Sequence, residues 1–140
     1  MAASVIFSIV NMIAMPMWLL MIFLPKWKFT RLLIDYKIFP IALSLFYVFY
    51  IVKSISEGGG MDFGSLDSVM QLFTLENAVL AGWIHYLAFD LLVGMWMLDQ
   101  NQKLGMNHLF IVPCLLGAFM MGPVGFLLFI IIRSIKKRNS

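Results

Sequence analysis

Four long apolar runs separated by short polar stretches organise the chain. Residues 1–25 carry no charged side chain, and a bilayer core about 30 Å thick needs about 20 apolar residues in helix. A first span is therefore expected over residues 4–24, ended by Pro25 and followed by the aromatic and cationic interface anchor Lys26, Trp27, Lys28. The second run, residues 38–54, is shorter. The residues between Lys37 and Lys53 reach about 22 Å, so both lysines are expected to snorkel. The third, residues 77–98, is interrupted by Asp90, and the fourth, residues 108–132, has no charge. The pattern predicts an all-α integral membrane protein built as a four-helix transmembrane bundle.

Between spans two and three lies the longest loop, in which Gly58, Gly59 and Gly60 precede Asp62 and Asp67. Phe63, Leu66, Val69, Met70 and Phe73 recur there at helical spacing, which fits a short interfacial helix, although Lys and Arg are absent from its polar face.

Composition agrees with the pattern. Hydrophobic residues make up 62% and charged residues 12%, against roughly 45–50% and 25% in soluble domains. The length suits one domain over residues 1–140. A single cysteine, Cys114, excludes an internal disulfide framework and a multi-cysteine metal site. The net charge of +3 comes from clusters beside apolar runs and points to lipid headgroups, with no nucleic-acid partner. With four spans, Lys26, Lys28, Arg31, Lys37 and Lys103 share one side and Lys53, Arg133, Lys136, Lys137 and Arg138 the other. The positive-inside rule then returns a tie.

Charged or polar side chains at membrane depth need partners, and intramembrane ionisable residues mark functional sites by default. Asp90 stands about 4 Å from the centre of the third span at helical rise. Trp83, Tyr86, Asp90 and Gly94 share its face, with Tyr86 one turn from Asp90. His85 lies about 140° around, so it and Asp90 are expected to flank one bundle interior with Tyr86 between them. Because hydrocarbon penalises charge, a protonated Asp90 beside a neutral His85 is the expectation, a poised proton donor and acceptor.

The loop from Asp99 to Asn107 is short, so spans three and four are expected to form an antiparallel hairpin, with Asn107 as helix N-cap. Pro123 should displace the carbonyl of Phe119 at the depth of His85 and Asp90. Gly117, Gly122 and Gly125 around it let another backbone or a flat ligand approach closely. Trp83, Gly94, Gly117, Phe119, Gly122 and Pro123 are thus the candidate ligand lining. His108 falls at the interface, and Asn11 and Ser44 are further polar residues at depth, suited to interhelical hydrogen bonds. His85 and His108 are too far apart for a chelate, and no metal or phosphate-cradle motif occurs, so neither a metal nor a cofactor is expected.

The run Trp83, Ile84, His85, Tyr86, Leu87, Ala88, Phe89, Asp90, Leu91 closely resembles the small membrane family that includes the plant neoxanthin-synthesis protein, the abscisic-acid-deficient-four-like family. Met15 to Met21 with Pro25, Lys26 and Trp27 looks like its first span. Pro113 and Cys114 with Gly122 to Leu128 look like its last, so the similarity covers almost the whole chain. The resemblance implies a four-helix membrane protein and a role in turning violaxanthin into neoxanthin, an isomerisation that needs an acid and a base but no redox cofactor. Asp90 as acid, His85 as base and Tyr86 as hydrogen-bond donor would serve it. The chain starts at its first span without a Ser-rich, Arg-rich transit peptide, which suggests a bacterial inner membrane or a mature protein of a photosynthetic membrane.

Three readings follow. The first is an enzyme or accessory factor for a carotenoid or related isoprenoid reached through membrane lipid. The second is a small proton-coupled transporter using Asp90 and His85, for which the charge tie fits a dual-topology dimer, a homo-oligomer. The third is an assembly subunit whose polar residues specify helix packing.

Overall fold

A computed structural model describes residues 2–58 and 62–138, with side chains through Lys136. The described residues form helices and no strand: α1 (Ala3–Phe23), α2 (Lys28–Tyr36), α3 (Ile38–Ser56), α4 (Leu66–Leu72), α5 (Glu76–Lys103), α6 (His108–Met120) and α7 (Gly122–Arg138). Three stretches are long and apolar enough to cross a membrane: Ala3–Phe23, Lys28–Ser56 and Glu76–Lys103. The molecule is all-helical and fits a membrane protein.

In α1 the inward residues Ile6, Val10, Ala14, Met17, Trp18 and Met21 recur every three or four positions, the spacing of one helix face. Met12 and Phe23 point outward, each 72% exposed, as lipid-facing side chains do. The helix closes where the Leu24 amide returns to the Leu20 carbonyl and Pro25 ends the ladder.

Residues 28–36 form a helix that the apolar runs did not suggest, because its pattern is mixed rather than apolar. Thr30 and Ile34 are buried, and the Arg31 guanidinium reaches α5, donating to Asp99 at 2.7 Å and to the Gln102 side chain at 3.2 Å. Lys37, with φ 54°, separates α2 from α3. Side chains larger than glycine rarely take this left-handed conformation. Here its amide bonds the Ile34 and Leu33 carbonyls and its Nζ donates to the Ile34 oxygen at 2.7 Å, which satisfies the free carbonyls of the α2 end. Lys53, by contrast, lies 5.9 Å from the Tyr50 ring centre.

Helix α5 is central: α1, α3, α6 and α7 all pack on it. Its Glu76 end is joined to α3 by Asn77 donating to Glu57 at 2.7 Å. At its Lys103 end Gln102 reaches the Pro25 carbonyl at 3.4 Å, and His108 Nε2 stands 2.7 Å from the Ile22 carbonyl. Short helix α4 lies at the Glu76 end, capped by Ser65, whose hydroxyl accepts from the Ser68 amide at 3.1 Å. The Gly64 amide and the Ser68 hydroxyl donate to Asp62 and hold its carboxyl below the usual carboxylate range. Gly59 and Gly60 of the glycine run lie outside the described residues.

The fourth apolar run departs from the single span expected over 108–132. Asn107 caps α6, as the sequence predicts, accepting from the Leu109 amide at 3.0 Å. The helix then stops at Met121 (φ −147°, ψ 87°), and α7 doubles back along it. A Cβ on Gly117 would meet the Gly125 Cα at 3.0 Å, and one on Gly125 would collide with the backbone of Cys114 and Ala118. The Lys136 ammonium lies 4.3 Å from the centre of the Phe110 ring. Two sequence features produce this. Paired glycines let the backbones touch, and Pro123 sits in the first turn of α7, where its missing N–H costs nothing. At 1.5 Å per residue α6 is about 20 Å long, shorter than a bilayer core.

Candidate functional site

The hairpin turn places its freed backbone against the middle of α5. Tyr86 donates from its hydroxyl to the Met120 carbonyl at 2.8 Å, satisfying an oxygen that the break at Met121 leaves without its helical partner. One turn along α5, the Asp90 carboxyl occupies the space where a Cβ on Gly122 would be, so a side chain there would push the carboxyl aside. Asp90 Oδ2 is buried and has no hydrogen-bond partner among the described residues. Gly122 begins α7, so the start of that helix lies against the acid.

Aromatic packing fixes the rest of this face. The Trp83 ring stacks on Tyr86 with centroids 5.3 Å apart, and its Nε1 donates to Asn11 of α1 at 2.7 Å. Phe7 of α1 lies 5.3 Å from Trp83, its ring tilted to it. Together with Tyr86, Gly82 and Phe73 they border a cavity of about 460 Å³ between α1 and α5, whose polar edge includes Ser4 and Glu76. Cavities of this size and apolar character suit small-molecule ligands.

His85 belongs to a different cavity. Its ring stacks on Phe89 at 4.6 Å and meets Tyr47 of α3 edge-on at 5.6 Å. It borders a half-open space of about 290 Å³ lined also by Tyr47, Ile51, Phe63, Leu72, Phe73, Ala78 and Gly82. The structure thus brings Tyr86 and Asp90 together at the hairpin turn and sets His85 on the side of α5 that faces α3, rather than around one shared interior.

The candidate lining residues divide likewise. Trp83 borders the larger cavity, whereas Gly94 lies under the Trp18 ring, where a Cβ would come within 2.7 Å of it. Phe119 packs edge-on against Trp18 at 5.7 Å. Gly117, Gly122 and Pro123 serve the hairpin. Ser44 bonds its own helix at Pro40. Tyr47, Phe73 and Gly82 border these cavities and were not anticipated. Gly82, one turn before Tyr86, carried a signal, since a glycine inside a helix lacks a side chain to pack. Tyr47 and Phe73 reach the site from other elements, which spacing along α5 cannot reveal.

A family model described as ABA DEFICIENT 4-like matches residues 5–129. No curated protein and no solved structure matches the chain. The family match runs from α1 into α7 and takes in Trp83, His85, Tyr86, Asp90 and the hairpin turn, and the chain belongs to the ABA4-like family.

Proposed function

We propose that this protein is a cofactor-independent isomerase of an epoxycarotenoid or related isoprenoid, entered from the lipid. The family is linked to neoxanthin synthesis in plants. The observation that carries the reading is Tyr86, which lines the apolar cavity of about 460 Å³ while standing one turn from Asp90 at the hairpin turn. In the reaction the epoxide C–O bond breaks and its oxygen takes a proton, giving a tertiary alcohol. A vinylic C–H bond breaks, and its electron pair becomes the second double bond of an allene. No electron is gained or lost overall. Asp90 is the acid, Tyr86 the hydrogen-bond donor at the cavity wall once its hydroxyl turns from the Met120 carbonyl to the substrate, and His85 the base on the adjoining side of α5.

The test is conversion of violaxanthin by the protein expressed in a carotenoid-making host. Asp90→Asn and His85→Gln are each expected to lower conversion by about 10²-fold or more, the scale of general acid–base catalysis. Full conversion by both variants overturns the assignment. A second reading, proton-coupled transport, is favoured by one feature: broken helices whose starts face an acid at mid-depth are a recurrent transporter plan. Proton-driven flux into proteoliposomes that is lost in Asp90→Asn would support it. In either reading, three helices cross the membrane and the α6–α7 hairpin enters and leaves on one side.

A further inference from the structure

The two cavities on α5 share two residues, Phe73 and Gly82. Gly82 lies on α5 between Tyr86 and His85, about 40° from the one and 60° from the other at 100° per residue. Having no side chain, it leaves the helix backbone bare between the two polar groups. The Phe73 ring occupies that bare spot, with its Cε1 2.9 Å from where a Gly82 Cβ would stand. The ring is therefore the partition between the cavities, and Gly82 is the floor beneath it.

Phe73 is lightly held. It follows the seven-residue helix α4 directly, and half of its surface is exposed. On either side the walls are aromatic, Phe7 and Trp83 in one lobe and Tyr47 in the other. The polar residues Tyr86 and His85, one lining each lobe, flank the Gly82 floor. With the partition swung out, the two lobes become one groove across α5, apolar at its ends and polar at its middle.

We propose that this groove seats an elongated polyene across Gly82, with Phe73 as the displaceable partition that governs its entry. The inference rests on the isomerase reading for its ligand class and adds to it the place where one molecule meets Tyr86 and His85 together. Phe73 and Gly82 are specificity and positioning residues here, since neither supplies a proton. Phe73 also lowers apparent affinity, because the groove is open only in the fraction of molecules whose ring has moved.

The experiment uses the full chain purified in detergent and cis-parinaric acid, an unbranched polyene whose binding is read as energy transfer from tryptophan. Phe73→Ala is expected to tighten binding by about threefold or more, by removing the fraction that is closed. Phe73→Trp, with a larger ring over the floor, is expected to weaken it. Gly82→Leu is placed in the Phe73→Ala background, where the ring it would strike is absent, and is expected to lose about tenfold or more relative to Phe73→Ala, a methylene-scale steric block multiplied over a leucine side chain. Equal affinities across the wild type, Phe73→Trp, Phe73→Ala and the double variant overturn the groove. The expected binding series without conversion of violaxanthin by the wild type overturns the isomerase reading alone and leaves the groove supported.

Discussion

Tyr86 has two roles: its hydroxyl satisfies Met120 at the hairpin turn, and the residue lines the larger cavity. Removing the hydroxyl should therefore register in stability before any chemistry is measured. Tyr86→Phe is expected to cost about 0.6–1.7 kcal/mol, the range of membrane hydrogen bonds, since the Met120 carbonyl loses its donor. Reversible unfolding in bicelles checks this, and an unchanged midpoint would show that the turn does not depend on the bond. The importance of this face was readable in advance, because Trp83, Tyr86 and Asp90 fall three and four positions apart and an acid at mid-span needs a reason. The partner was nearly so. Pro123 suggested a freed Phe119 carbonyl by the rule for a proline within a helix. The turn at Met121 instead puts Pro123 in a helix start, and the oxygen that Tyr86 meets there is that of Met120. His85 could not be placed by periodicity, because its angle from Asp90 is compatible with one cavity or two.

At the level of elements the main departure is the fourth run. Hydropathy reports that 108–132 is apolar, and an unbroken span and two half-length helices have the same composition. The cues were local: Gly117, Gly122, Pro123 and Gly125 within nine positions. Of these Gly125 is the tightest, because the atoms a Cβ would strike are the backbone of Cys114 and Ala118, which cannot step aside as a side chain can. Gly94 faces instead the Trp18 ring. Gly125→Ala is therefore expected to destabilise by about 1–3 kcal/mol or more, and by more than Gly94→Ala. Unfolding of both variants under one condition gives the order, and the reverse order would mean that the hairpin yields more easily than the α1–α5 contact. Helix α2 was missed for the opposite reason: its amphipathic pattern is legible only once Asp99 is known to stand beside Arg31.

For the whole molecule, the hairpin decides what the charges could not. With a fourth span the Lys and Arg residues divide evenly between the two sides. With α7 returning beside α6, Arg133 lies 5.5 Å from the Trp96 ring and Lys136 against Phe110, at the end of α5 that carries Lys103. That end then holds Lys26, Lys28, Arg31, Lys37, Lys103 and the whole basic tail, and of the ten Lys and Arg residues only Lys53 falls at the other, beside Glu57, Asp62, Asp67 and Glu76. The positive-inside rule predicts from so lopsided a distribution that the basic end lies on the cytoplasmic face. The side chains of Lys137 and Arg138 lie outside the described residues, but the backbone that carries them follows Lys136. Single cysteines in a Cys114→Ser background separate the two topologies. Lys28→Cys and Lys136→Cys are expected to react with a membrane-impermeant maleimide from one side, the cytoplasmic one, and Asp67→Cys from the opposite side. Reaction of positions 28 and 136 from opposite sides would restore the four-span bundle, and would remove the hairpin turn from beside Tyr86 and Asp90.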